Sequence, residues 1–288
     1  PSSGGGGSSP PIPTIESFLA TDATAFSGTA AHDILSVSTA ATWTPLVMTP
    51  VLLNGGTGTN TLKVQDGSSI AAAVVINFPN LTFDATGVTG TNDVTMTASQ
   101  NQLFTGTITA AGSGANGEKI TIAGDGAITT LANIENYSIG ADSTNARTVT
   151  VANAGTSVTS SSASDAVTFN LGALTYTATI TGETTVDDIL SLATGADMSS
   201  GTITYVEALT LASGASVTLS AAQNQNFTGT ITAAGSGVGG EKITIASDGA
   251  VTVLSNIETY ELGDDTTNAR TLTIGSAALN LIANNASD

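Results

Sequence analysis

Gln100–Val151 reads QNQLFTGTITAAGSGANGEKITIAGDGAITTLANIENYSIGADSTNARTVTV, and Gln223–Ile274 reads QNQNFTGTITAAGSGVGGEKITIASDGAVTVLSNIETYELGDDTTNARTLTI, 123 residues later (223 − 100) and without a gap. A repeat this long governs the reading of every residue inside it. A residue that returns with the repeat belongs to a repeated structural role, whereas a catalytic site is ordinarily built once. Within the repeat, short segments alternate apolar and polar residues: GTITA (106–110), EKITIA (118–123), RTVTV (147–151) and RTLTI (270–274). The same alternation runs through AVTFNL (166–171), TYTATI (175–180), TITYV (202–206) and SVTLS (216–220). Thr, Val and Ile dominate these segments, and Gly, Asn, Asp and Ser lie between them. This is the period of half-buried strands joined by tight turns. Helical spacing is scarce, with Ile15–Ala20 and Val186–Leu192 the candidate exceptions.

Two finer patterns carry the repeat outward. Asp or Asn begins an alternating apolar run at Asp33, Asn60, Asp165 and Asp188. A second run, apolar-x-x-apolar-x-apolar, begins at Phe78, Ile134, Val206 and Ile257. Asn60 to Phe78 and Asp188 to Val206 are both 18 residues (78 − 60, 206 − 188), so residues 28–99 read as a diverged copy of 160–222. The organisation is therefore a Gly/Ser/Pro linker over 1–14, a diverged β-repeat unit over 15–99, a full unit over 100–222 and a second, shorter copy over 223–288. Ala-Ser-Asp288 matches Ala-Ser-Asp165, where the earlier copy runs on into a strand, and this match predicts membership of a longer array.

The predicted fold is all-β, a tandem-repeat parallel β-solenoid, with a string of β-sandwich domains as the alternative. Short strands, small interior residues and a single tryptophan, Trp43, favour the coil over units that each close their own core. Alternation alone leaves parallel and antiparallel pairing open.

The chain has 23 acidic and 5 basic residues among 288, a formal charge of −18. Such a surface repels nucleic acid and anionic lipid, whose binding depends on Lys and Arg. With 40% hydrophobic residues it nevertheless carries enough apolar side chain to fold. It has no cysteine, no apolar run of membrane-spanning length and no basic segment leading into an apolar one. Neither a Walker-type glycine loop nor a zinc or nucleophile motif is present.

The candidate metal ligands are Asp33, Asp142, Asp187, Asp188, Asp264 and Asp265, carboxylates on turns between strands, where calcium finds its oxygen ligands. The competing role for each is to cap a turn. Four of the five cations recur at repeat positions, Lys119 with Lys242 and Arg147 with Arg270, and local ion pairing is their expected role. His32 stands without catalytic or metal-binding spacing and is expected to face solvent. Thr-x-Thr runs such as Thr148-Val-Thr150 are spaced irregularly along the chain, which argues against an ordered threonine face.

The segment Gly55-Gly-Thr-Gly-Thr-Asn60-Thr-Leu-Lys63 resembles the glycine- and aspartate-rich nonapeptide of RTX-type calcium-binding repeats, with Asn60 in place of the aspartate. The Ile-Glu-x-Tyr runs resemble segments of large bacterial surface-layer proteins and adhesins. This resemblance implies an exported, repetitive β-rich protein of the bacterial cell surface. The expected function is that of a non-enzymatic structural subunit of an extracellular assembly, partnered by copies of itself and stabilised by calcium, with no direct membrane insertion. The alternative is an adhesin segment that recognises carbohydrate or another cell. A polysaccharide-cleaving β-helix ranks last, because its carboxylate pair should be unique and here the acidic pairs repeat.

Overall fold

The computed structural model describes residues 15–18, 25–37, 51–84, 92–110, 117–140, 145–161, 165–233, 240–263, 271–274 and 279–283. The 1–14 linker, Trp43, Asp142, Asp264, Asp265 and Arg270 lie outside them. The chain forms two compact units, one of Pro1–Met96 with Gln100–Glu118 and one of Thr97–Ser99 with Lys119–Asp288.

Both units are parallel β-solenoid. In the first, Ile15–Phe18, Ile34–Val37, Thr61–Gln65, Asn80–Asp84 and Ile108–Thr109 stack in that order as one parallel sheet. Phe26–Ser27, Leu52–Asn54 and Val74–Ile76 form a second face, and Ser68–Ser69 pairs with Asn92–Thr97 on a third. One coil thus visits three faces before returning. Coil length varies: Thr61 pairs with Asn80, 19 residues on (80 − 61), but Ile34 pairs with Thr61, 27 residues on (61 − 34).

In the second unit, Ala127–Thr129, Arg147–Val151, Val167–Leu171, Ile189–Leu192, Ala208–Leu211 and Ile231–Ala233 make one face. Glu118–Ala123, Asn136–Ile139, Ser157–Ser160, Thr179–Thr181 and Thr202–Thr204 make another. Ser216–Leu219, Lys242–Ile245, Thr259–Leu262 and Asn280–Ala283 make a third. The pairing of Leu209 with Ile231 crosses position 222/223, so that division is one of sequence and not of packing.

The alternation read from sequence becomes columns. Val149, Phe169, Leu190, Leu209 and Ile231 lie one above another in register, all buried. Ile120, Tyr137, Val158, Ile180 and Ile203 do the same beneath the next face. Each such side chain contributes roughly 1.5–3 kcal/mol by leaving water. The outward residues align equally well: Thr121, Ser138, Thr159, Thr181 and Thr204 form a hydroxyl column. The irregular spacing of the Thr-x-Thr runs in sequence therefore hides a regular spacing in space, because turns of unequal length absorb the difference.

Two expectations on helices are corrected. Ile15–Phe18 and Ile189–Leu192, within the candidate helical stretches, are strands, and the helices among the described residues are Ala98–Asn101 and Ala221–Asn226. The second helix is opened by a capping box, in which the Ser220 hydroxyl accepts from Gln223 N and the Gln223 side chain accepts from Ser220 N. The Ser-Ala-Ala-Gln spacing of 220–223 carries that signal in the sequence, as does Thr-Ala-Ser-Gln at 97–100. This helix clasps the coils on either side of it. Gln223 Nε2 donates to the carbonyls of Met198 (2.6 Å) and Gly201 (2.9 Å), and Asn224 Nδ2 donates to that of Thr252 (2.9 Å). Gln100, its counterpart 123 residues earlier (223 − 100), donates to the carbonyls of Ile70 and Ala73, both at 2.7 Å. The clasp is closed by Tyr260, whose hydroxyl donates to Asn224 Oδ1 and accepts from Leu254 N.

Candidate functional site

Three buried side chains, Asp33, Asn60 and Asp188, lie at a corner of the coil just ahead of a strand. At the first unit's corner Asp33 N donates to Asn60 Oδ1 at 2.9 Å, and Asn60 Nδ2 donates to the carbonyls of Gly58 and Asn77, both at 3.0 Å. The second unit repeats this geometry with a carboxylate: Val167 N donates to Asp188 Oδ1 at 2.6 Å. Register makes the two corners equivalent, since the residues following Asp33 and Asn60 pair with each other, as do those following Val167 and Asp188. The aspartate oxygens are also committed. Asp33 Oδ2 accepts from Thr29 N, and Asp188 Oδ2 accepts from Glu183 N at 2.6 Å.

Glycines make this corner. The backbones approach so closely that a Cβ on Gly58 would lie 1.8 Å from the Ala31 carbonyl oxygen, and one on Gly182 would lie 1.9 Å from that of Tyr205. The glycines of the nonapeptide-like segment thus serve coil-on-coil contact, and Asn60 stands in for aspartate because two carbonyls face its amide. Asn77 and Tyr205, which supply carbonyls to these corners, both take left-handed backbone, with φ of 62° and 53°.

Asp188 is wholly buried, and its carboxyl is pushed up to about 6. Burial is the main cause and the charges of Glu207 and Glu183 add to it, while the N–H groups of Val167 and Glu183 pull the other way. Glu207, beside it in register, is also raised, by burial first and in part by the charge of exposed Asp187. The sign follows from proton uptake on folding. A carboxyl with an unfolded value near 3.9 and a folded value near 6 binds protons more tightly in the folded chain, so it adds stability as pH falls through about 6 towards 4. Unfolding midpoints should therefore rise between about pH 7 and pH 5, by an Asp188 contribution of about 1 kcal/mol, the rest of its effect coming below pH 5. Asp188→Ala should remove that part of the pH dependence. It should also cost about 2–4 kcal/mol at pH 5, since two buried N–H groups lose their acceptor. Urea titrations at the two pH values check both effects.

The fit to calcium is uneven. A calcium ion requires converging oxygen acceptors, whereas the Asp188 oxygens are met by two N–H donors and those of Asp33 by the N–H and hydroxyl of Thr29. Asp187 is exposed and lies at the Glu207 corner, 3.3 Å from where a Cβ on Gly229 would stand. Among the described residues no group of three His, Cys, Asp or Glu side chains comes together. The carboxylates at Asp142, Asp264 and Asp265 lie outside the described residues.

Of the cations, Lys63 pairs with Asp84 at 2.9 Å and Lys242 with Glu261, both pairs partly exposed and bridging neighbouring coils. Arg147 is instead buried, with Nη1 donating to the Gly140 carbonyl. His32 is exposed, and its Nδ1 accepts from Thr59 N at 3.0 Å. An open groove beside the glycine corner is lined by Gly56, Gly58, Asn77, Phe78, Pro79 and Leu103, none of them titratable. Comparison of the chain with protein-family models, with curated proteins and with solved structures finds no match. No helix among the described residues is long and apolar enough to cross a membrane.

Proposed function

We propose that the chain is a structural element of a bacterial extracellular assembly, a surface layer, sheath or filament, which associates with copies of itself through its β-repeats and is firmed by calcium. The observation that carries this reading is the use made of buried polar side chains. Asn60, Asp188, Gln223 and Asn224 each bond from one coil to the next, and none converges with others on a cleft. Chemistry committed to stacking suits a part whose work is mechanical. The resemblance to RTX-type and surface-layer repeats points the same way, as does the charge of −18, which opposes close association until cations screen it. Calcium acts in this reading at exposed Asp187 beside half-buried Glu207, and at Asp142, Asp264 and Asp265, which the sequence pattern sets between strands, and not at Asp33 or Asp188.

Negative-stain electron microscopy in millimolar calcium, and again after chelation, tests the proposal. Ordered sheets or filaments that dissolve on chelation are the expected result. Assemblies indifferent to chelation would remove calcium from the account, and dispersed molecules in both conditions would overturn self-assembly and favour the adhesin alternative.

A further inference from the structure

One slot of the coil is filled by asparagine three times and by tyrosine once. Asn77, Asn133, Tyr205 and Asn256 each stand immediately before the apolar runs that begin at Phe78, Ile134, Val206 and Ile257. All four take left-handed backbone, with φ of 62°, 60°, 53° and 64°. Asparagine tolerates that region, whereas a bulky side chain is strained there. Asparagine also ties the slot to the preceding coil. Asn77 Nδ2 donates to Asn54 Oδ1 at 2.8 Å, and Asn256 Nδ2 donates to the Ile231 carbonyl at 2.9 Å. Tyr205 gives up that amide bond and takes on the strain, yet its side chain is 53% exposed and adds little to the core. The other three tyrosines, Tyr137, Tyr176 and Tyr260, are buried. Strain of this kind, carried where the repeat offers an unstrained alternative, points to a use for the ring itself.

The surroundings of Tyr205 are polar and uncharged on the side of the sheet. Tyr205 follows the strand Thr202–Thr204 directly, at the end of the outward hydroxyl columns. Thr204 pairs in register with Thr181, and Thr181 with Thr159. Thr204 is exposed and Thr181 partly so. The three strands Ser157–Ser160, Thr179–Thr181 and Thr202–Thr204 carry no charged side chain. From the following coil Asn226 Nδ2 donates to the Ile203 carbonyl at 2.6 Å, so a neutral amide also lies close to this strand end. The acids lie beyond the turn: Glu207 two residues on, and Glu183 next to Gly182, against which the Tyr205 carbonyl packs.

We propose that Tyr205 is the stacking platform of a binding site for neutral carbohydrate, with the hydroxyls of Thr181 and Thr204 as its hydrogen-bond partners. The C–H face of a pyranose ring packs on the phenol ring, and the sugar hydroxyls bond to threonines that both donate and accept. An acidic sugar would meet the like charges of Glu183 and Glu207. Such a site adds to the structural role and does not depend on assembly, so its test and that of self-association fail separately.

Tyr205→Asn restores the residue of the other three coils. It should raise the urea midpoint by relieving strain and abolish sugar binding, the trade expected where a residue is retained for function. Tyr205→Phe keeps a ring and should bind as the parent does. The probes are cellohexaose, maltohexaose and chitohexaose, three neutral linear oligosaccharides, each added in millimolar amounts to the full chain. The readout is NMR of the ring at position 205 and of the Thr181 and Thr204 amides. At least one probe should shift these signals in the parent and in Tyr205→Phe, and the two amides should stay unmoved in Tyr205→Asn. Amide shifts that persist in Tyr205→Asn, or no shift in the parent with any of the three probes, would overturn the carbohydrate site. A urea midpoint that is unchanged or lower in Tyr205→Asn would overturn the claim that the tyrosine is held at a cost to stability.

Discussion

Gly182→Ala should destabilise the second unit by about 3 kcal/mol or more, at the upper end for a single methyl group. The position needs no special backbone, so the effect is one of space. Gly182 N donates to the Thr204 carbonyl at 2.9 Å, which draws the next coil directly against its Cα. An added Cβ would lie 1.9 Å from the Tyr205 carbonyl oxygen and 2.5 Å from Asp188 Oδ2. Neither can retreat cheaply, because Tyr205 holds a left-handed turn and Asp188 is fixed by two N–H donors. Relief must come from parting the coils at Thr181 and Thr204, and protection of those amides should drop first. Gly67→Ala is the contrast: its added methyl meets nothing within 4 Å, and with φ at +72° its cost should be the backbone strain alone, about 1 kcal/mol. Urea unfolding of the two variants checks the difference, and equal losses would contradict the close-approach reading.

Phe169→Ala should cost about 3–5 kcal/mol. Phe169 is 0% exposed and sits in mid-column, between Val149 and Leu190. A solenoid has no second layer to move into such a gap, since each column residue is fixed by the strands above and below. The loss should spread along the coil by nearest-neighbour contact. Thermal unfolding should show a lowered midpoint, with the earliest loss of exchange protection at Val149 and Leu190. A loss below about 1 kcal/mol would mean that this column is not a packed core.

Much of this architecture is legible in the sequence, and the repeat is the reason. Alternation at 118–123, 147–151 and 166–171 predicts strands, and strands lie there. The preference for a parallel coil over sandwiches follows from small interior residues and is met by parallel strand pairing among the described residues of both units. Other features stay hidden for physical reasons. The helix at Ala221–Asn226 has fewer than two turns, too short for helical periodicity to show, and only its Ser220–Gln223 box announces it. Val186–Leu192 mimics a helix because Val186 stands three and four residues before Ile189 and Leu190, at helical spacing, although the strand begins only at Ile189. Asp33 and Asp188 look like metal ligands because a carboxylate on a turn is what calcium uses. Their donors come in part from the turn just before them, Thr29 for Asp33 and Glu183 for Asp188, whose fold residue types alone do not give, and in part from the neighbouring coil, Val167 N for Asp188, 21 residues away (188 − 167).

The most direct test of the account is a distance across one outward column. The chain has no cysteine, so Thr121→Cys with Thr204→Cys places spin labels only where intended. Parallel stacking in register separates these positions by four coil steps of about 4.8 Å each, roughly 19 Å between Cα atoms. Moving the second label to Thr181→Cys should shorten the distance by one step, about 5 Å. A single narrow distance that shortens in this way is the predicted result. A broad distribution, or a distance that does not shorten when the label moves to position 181, would contradict the coil and with it the stacking on which the proposed function rests.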